Sequence, residues 1–389
     1  MAFAAALSTA ASAGRALDEV CAEVSGQLGG AEPDLVLVFY SPHHEESAPV
    51  IARTLADRLK ARALAGCHGE AIVGGPKEIE RAPAVSVWAA SWGGSVGVET
   101  FHLQFTRTPD GLTLLGWPDG LTDADAERDV LLIFGDPLTT PVTELLLPRL
   151  EDERPGLAVL GGMASGMRRP GDQVLICNGE ALTEGAVGVY LRGLQRRRSV
   201  VSQGARPIGR SLVVTKCSEN LIVEVGGQKP LDYMRALYQE LSEADRELVR
   251  HGLMMGLAMS EYRDDFTRGD FLIRGIYGFD QETGAVAVAD RPRLGQTVQF
   301  QLRDADTADE DLRELLRKTK TEGSAAGGLL FSCNGRGTRL FSSPHHDAAV
   351  IQEEVGPLPL AGFFAAGELG PVGGKNFIHG FTASVVLFA

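Results

Sequence analysis

Two short phrases place adjacent histidines before a carboxylate: Ser41-Pro42-His43-His44-Glu45 and Ser343-Pro344-His345-His346-Asp347. Imidazole binds zinc, iron, nickel and copper, so His43, His44, His345 and His346 are candidate metal ligands if the two phrases converge, with Glu45 or Asp347 beside them. Neighbouring side chains on extended backbone point to opposite sides, so one pair rarely gives two ligands to one ion. The phrases read more readily as strand-to-helix turns. Ser and Pro suit such turns, and a carboxylate near a helix N-terminus is favoured by the helix dipole. No metal is expected on this reading.

Cys67-His68-Gly69-Glu70 sets a thiol, an imidazole and a carboxylate side by side, the residue types of a nucleophile, a base and an acid. A triad is a spatial arrangement that adjacency does not supply, so Cys67 and His68 stand only as weak catalytic candidates. The Gly-Glu pair recurs as Gly367-Glu368. A glycine at a strand end permits a sharp turn and close approach by a ligand, and the carboxylate after it can accept a bond from an ammonium or amide group. Cys333-Asn334-Gly335-Arg336-Gly337 adds an arginine able to hold a carboxylate in bidentate fashion. Acid and base near strand ends make a pocket for a zwitterion such as an amino acid. The competing reading pairs Arg336 with a structural acid. The nucleotide loop GxxxxGK[ST], the dinucleotide fingerprint, HExxH and GxSxG are all missing from the sequence.

These residues sit in a repeated pattern. Leu35 to Tyr40, Asp129 to Phe134 and Gly328 to Phe331 are apolar runs, each followed by a turn and a helical stripe: Val50-Ile51-Leu55-Leu59, Val142-Leu145-Leu146-Leu150, and Val350-Ile351. A second apolar stretch and a closing strand follow each time, ending in Ala84 to Trp88, Ala186 to Tyr190 and Thr382 to Val386. The fold class is therefore mixed α/β, with repeated strand-helix-strand units forming mixed sheets covered by helices. An α+β insert precedes the last unit. In it, Ser211 to Val225 reads as a hairpin, Leu231-Met234-Leu237-Leu241 as a helix, and Glu243 to Ser260 as a second helix with Gly252 and Gly256 as packing points. Strands follow at 271–273, 285–288 and 297–302, and a helix opens at Asp309. A domain boundary is placed between Arg196 and Arg210, dividing the chain into 1–205 and 206–389.

The chain has 389 residues, 44% of them hydrophobic and 23% charged, an ordinary globular composition. A net charge of −14 opposes binding to a phosphate backbone. Apolar runs all fall short of the roughly 18 residues that cross a bilayer, so neither nucleic acid nor membrane insertion is expected. Met1 to Gly14 lacks the positive start of a signal peptide and runs into the stripe Leu17-Val20-Cys21-Val24-Leu28; a helix packed on the domain is expected there. Five scattered cysteines without a CxxC fit a reducing, cytoplasmic setting.

Several phrases resemble the FIST family. Asp270-Phe271-Leu272-Ile273-Arg274, Gly278-Phe279-Asp280, Gly295 to Phe300, Arg303-Asp304-Ala305, Phe331 to Gly337, Gly362 to Leu369 and His379-Gly380-Phe381-Thr382 look like its FIST C domain. Val38-Phe39-Tyr40-Ser41 and Gly66-Cys67-His68-Gly69-Glu70 look like its FIST N domain. The resemblance implies an intracellular sensory module that binds a small ligand, amino acids among the candidates, and signals through attached or neighbouring proteins. The chain ends directly after its closing strand, so a signalling partner acting in trans is expected. Glu70, Cys333, Asn334, Arg336, Glu368 and His379 are the expected ligand contacts, and no cofactor is expected. Two alternatives stand beside the sensor: an enzyme acting on a small polar metabolite through a Cys/His/Glu site, and a protein-interaction scaffold without a ligand.

Overall fold

A computed structural model describes residues 1–109, 111–166, 169, 171–262, 266, 269–320 and 323–389. The chain forms two compact units, one built from 1–202 and 312–389, the other from 203–311. The division at 205 read from composition lies near the start of the second unit. The first unit regains the chain at Leu312.

The first unit contains three lobes. Lobe I runs β1 (Ala2–Ser8), α1 (Ala13–Gln27), β2 (Leu35–Tyr40), α2 (Ala48–Leu59), β3 (Ala63–His68), the hairpin β4 (Ala71–Gly74) and β5 (Lys77–Glu80), then β6 (Val85–Ser91). Lobe II runs β7 (Gly97–Thr108), β8 (Gly111–Leu115), β9 (Val130–Gly135), α3 (Leu147–Glu153), β10 (Ala158–Met163), the hairpin β11 (Leu175–Cys177) and β12 (Glu180–Leu182), then β13 (Ala186–Arg192). Lobe III opens with β14 (Arg197–Ser202) and is interrupted by the second unit.

That second unit holds β15 (Ala205–Pro207), β16 (Leu212–Ser218), β17 (Leu221–Val225), α4 (Pro230–Glu240), α5 (Glu243–Gly252), β18 (Leu253–Ala258), β19 (Phe271–Phe279), β20 (Val286–Val288) and β21 (Thr297–Arg303). Its strands pair in the order β15-β21-β16-β17-β20-β19-β18, and β18 also pairs with β21, so six antiparallel strands close into a barrel. The alternation in β21 explains the packing. Val298, Phe300 and Leu302 join the barrel core with Ile222, Met255 and Val286, while Gln299 and Gln301 occupy the other face.

Lobe III resumes with α6 (Ala305–Lys320), β22 (Gly327–Cys333), α7 (His346–Val355), β23 (Leu360–Ala365), the hairpin β24 (Glu368–Val372) and β25 (Lys375–His379), and β26 (Ala383–Phe388). In every lobe two parallel strands lie beside an antiparallel closing strand: β2 and β3 with β6, β9 and β10 with β13, β22 and β23 with β26. Their continuous apolar sequences follow from burial on both faces. Helices cover the outer faces, as the α2 residues Ile51, Ala52, Leu55 and Leu59 do with Val36 and Val38.

The inner faces meet in one central core drawn from all three lobes. Phe39, Phe134 and Phe331 hold the same place in β2, β9 and β22, and their ring centroids lie 5.4, 5.8 and 6.2 Å apart. Each lobe sends its hairpin onto another lobe's sheet. The β4–β5 hairpin extends lobe III beside β23, β11–β12 extends lobe I beside β3, and β24–β25 extends lobe II beside β10. The three strand–helix–strand units expected from the sequence are present. Their cyclic exchange of hairpins was not foreseen.

Two element assignments need correction. The opening residues form β1, paired along its length with β6, and the helix begins only at Ala13. The helix expected over 243–260 stops at Gly252, and Leu253–Ala258 forms β18 between β19 and β21. Gly256 is a close-approach point as expected, but in a strand, where an added Cβ would stand 3.1 Å from the Phe271 side chain.

Candidate functional site

Arg336 leaves the C-terminal end of β22 and turns inward. It is fully buried and makes a bidentate ion pair with Asp347 in the first turn of α7, Nε to Oδ2 at 2.7 Å and Nη2 to Oδ1 at 2.8 Å. The Ser332 hydroxyl donates to the same carboxylate at 2.8 Å, and His346 Nδ1 lies 3.0 Å from it. Burial opposes charge on Asp347, but the guanidinium holds it well below the usual carboxylate range. Arg336 is thus committed to a structural acid, and that acid belongs to the second Ser-Pro-His-His-Asp phrase. The zwitterion reading had aimed this arginine at a ligand.

Two further carboxyls lie in this interior. Glu78, delivered from lobe I by β5, accepts the Ala348 N–H at 2.9 Å; burial and then Asp347 push its pKa to about 8. Glu368 opens β24 and accepts the Thr382 N–H and hydroxyl at 3.1 and 2.9 Å; burial pushes it to about 8 as well. Both are neutral near pH 7, which limits the charge buried around one arginine. His379 faces Glu368 across the β24–β25 pair and lies 3.0 Å through Nε2 from the Gly370 carbonyl.

Above this interior lies a cleft lined by Glu70, Ala71, Glu80, Arg81, Asn334, Arg339 and Phe364. It is narrow, with an open volume of about 10 Å³, room for roughly one water. An ion pair holds it shut. Both terminal nitrogens of Arg339 donate to the Glu70 carboxylate, and Nη1 also donates to the Asn334 carbonyl at 2.7 Å. Glu80 accepts the Thr338 N–H at 2.9 Å and its hydroxyl at 2.7 Å. The Glu70 N–H donates to Ser165 Oγ of lobe II at 2.8 Å, and Ser165 in turn donates to the Phe364 carbonyl of lobe III. All three lobes meet at this point, at the C-terminal ends of parallel strands, where open α/β sheets bind ligands.

Of the expected ligand contacts, Glu70 and Asn334 line the cleft, while Arg336, Glu368, His379 and, at 9% exposure, Cys333 are buried. Arg339, Glu78 and Glu80 were missed. Arg339 lies only three residues beyond Arg336, whereas Glu78 and Glu80 sit in a strand with no local signal that it crosses to lobe III. The two Gly-Glu pairs are not equivalent. Register aligns Glu368 with Ile72, since Gly162 faces Glu368 and Phe363 faces Ile72.

Cys67 and His68 do not form a catalytic pair. Cys67 faces the central core with its thiol pushed well up by burial, while His68 lies on the other face near Tyr40, its pKa lowered by burial. The histidine phrases occupy corresponding strand-to-helix connections of lobes I and III but differ in shape. Pro42–Ser47 forms a 3-10 turn directly after β2, with His43 exposed and His44 buried. The second phrase starts ten residues beyond β22, His345 at φ 69° places Nδ1 within 3.0 Å of the Glu78 backbone N, and His346 stacks on Phe341 at 3.4 Å. Among the described residues, no three His, Cys, Asp or Glu side chains gather as a metal site.

Residues 34–228 match the FIST N domain, and residues 230–371 match the FIST C domain. Uncharacterized proteins of Mycobacterium bovis and Mycobacterium tuberculosis are each 43% identical over 382 residues, covering 98% of this chain and 97% of their own length. A further Mycobacterium tuberculosis protein is 42% identical over 384 residues, 98% of both chains. With both domains matched in order and relatives 42–43% identical over nearly the whole chain, the chain belongs to the FIST family of sensory modules.

Proposed function

We propose that this chain senses a small zwitterionic ligand, an amino acid being the simplest, in the cleft closed by Glu70 and Arg339, and signals through a partner protein in the cytoplasm. The observation that carries the reading is the Glu70–Arg339 ion pair, formed between the lobe I hairpin and the lobe III loop over a polar cleft. An α-carboxylate would take the Arg339 guanidinium, and an ammonium group would take Glu70. Both side chains are partly exposed, at 36 and 47%, so the pair is weak enough to be exchanged for a ligand. Exchange would separate the hairpin from the loop, a local change between two lobes that a partner can read.

Calorimetric titration with the proteinogenic amino acids and related small acids tests this. Binding is expected for at least one, with R339A and E70A each weakening it by roughly tenfold or more, about the 1.4 kcal/mol of one charge-assisted bond. R336A is expected to destabilise the fold instead, since it strands Asp347 in the interior. Silence from every zwitterion tested, or full affinity in both cleft variants, would remove the reading.

A further inference from the structure

We propose that the free edge of β1 docks a partner protein, whose extended, uncharged peptide segment pairs with the strand and displaces the Gln27 side chain. β1 is the last strand of its sheet and pairs with β6 on one side only. The N–H and C=O groups of successive residues in such a strand point alternately toward the neighbour and away from it. Those of Ala5 point away, because Gln27 at the end of α1 reaches both. The Ala5 N–H donates to Gln27 Oε1, and Gln27 Nε2 donates to the Ala5 carbonyl, each at 3.0 Å. A carboxamide joined to both groups of one residue is a peptide unit in miniature, holding the place of one residue of a neighbouring strand. Phe3 and Leu7 share the phase of Ala5, so the outward donors and acceptors run along the strand.

Folded proteins blunt such edges with charge, proline or a bulge. In the lobe III sheet β5 carries Lys77, Glu78 and Glu80 on one edge, and β14 carries Arg197 and Arg198 on the other. From Ala2 to Ser8, β1 has no charge and no proline, and its register with β6 runs without a bulge. Its edge is left able to pair.

The surroundings define what fits there. Ala5 and Gln27 form one wall of a groove of about 410 Å³, closed on other sides by Pro76 in the β4–β5 turn and by 357–360 at the entry to β23. Among the described residues no charged side chain lines it, which suits alternate apolar side chains of an added strand. The β1 of a second copy would lie in an identical groove, so two such edges cannot meet, whereas a single extended segment can enter. Gln352 holds the Leu358 N–H and carbonyl in the same way, but that pair is partly buried and closes its own loop, six residues away. The Gln27 pair is exposed and spans 22 residues, so exchanging it for peptide bonds costs little.

The groove shares no lining residue with the Glu70–Arg339 cleft, so docking stands without zwitterion binding. Where the sensor reading also holds, one element joins the two sites. The β4–β5 hairpin has Glu70 and Glu80 at its base in the cleft, and Gly75 and Pro76 at its turn in the groove.

The test selects random phage-displayed peptides of the length of β1 on the full native chain, without added amino acid. Enriched peptides are then synthesised with blocked ends and titrated by fluorescence polarisation. Uncharged sequences with β-branched or aromatic residues at alternate positions are expected. Q27A should tighten their binding roughly fivefold, the effect of one net hydrogen bond, because the edge no longer has to be vacated. A5P should weaken it by roughly tenfold or more: proline removes the outward N–H and sets its ring against the incoming strand, and an edge position tolerates it. If A5P does not fold, Q27A decides alone. No enriched peptide, equal affinity in Q27A, or full affinity in folded A5P would overturn the proposal. So would sedimentation showing that the chain dimerises and that A5P abolishes the dimer, since the occupant would then be a second copy.

Discussion

At the scale of single residues, the interior below the cleft is an arrangement of charges that limits itself. Arg336 and Asp347 keep their charges because each is the other's bidentate partner, while Glu78 and Glu368 give theirs up. Linkage then fixes a pH dependence. Both glutamates have pKa values raised from 4.5 to about 8 in the fold, so between those limits the native chain binds more protons than the unfolded one. Their contribution is complete below about pH 4.5 and is lost as pH rises through about 8. Urea midpoints at intermediate pH values should therefore fall with rising pH, and E78Q should flatten the decline. An equal slope in E78Q would show that Glu78 ionises normally in the fold. Part of this was legible. The Gly-flanked Arg336 was visible as a residue committed to a carboxylate, but the sequence could not choose between a ligand's carboxylate and Asp347 eleven residues away. Glu78 was illegible because its partner at Ala348 is 270 residues distant.

At the scale of elements, three glycines mark the lobes more faithfully than the histidine phrases. Gly66, Gly161 and Gly362 face Val38, Ile133 and Leu330 of the parallel neighbour strands. An added Cβ at each would stand 1.9, 2.0 and 1.8 Å from that neighbour's carbonyl oxygen. No side chain can yield there, because the obstacle is backbone. G161A should therefore cost about 3 kcal/mol or more, at the severe end for single substitutions. G26A, inside α1 with nothing within 4 Å of the new Cβ, should be neutral or stabilising by up to about 1 kcal/mol. Chemical denaturation of the two variants checks the contrast, and a mild G161A would mean that the strands can separate. Apolar runs with clear flanks were read correctly because burial on both faces leaves little polar sequence in them. The error at 253–258 has an equally physical origin. Leu253, Met254 and Leu257 carry a helical spacing, and only pairing with β19 and β21, remote in sequence, makes the segment a strand. Likewise the Ala-rich β1 has weak strand propensity and is held by its seven-residue register with β6.

At the scale of the whole molecule, the hairpin exchange decides which parts of the chain can fold alone. Lobe I needs β11–β12 from lobe II, lobe II needs β24–β25 from lobe III, and lobe III needs β4–β5 from lobe I. The ring cannot close until β24–β25 is available, more than 150 residues after the end of lobe II, and the central cluster lacks Phe331 and Phe363 until then. The barrel is different, since all of its strand pairings lie within 203–311. The sequence showed three similar units, which invites the reading that each is a separable domain. The topology argues otherwise, because every lobe would expose a bare β3, β10 or β23 edge. A fragment of residues 1–202 should therefore fail to fold cooperatively, whereas a fragment of 203–311 should keep its strand pairing. Amide exchange and thermal melting of the two fragments make the measurement. A sharp melt and slowly exchanging amides in β10 of the 1–202 fragment would show that the lobes are independent after all. Ligand-driven separation of Glu70 from Arg339 would then have no ring through which to act.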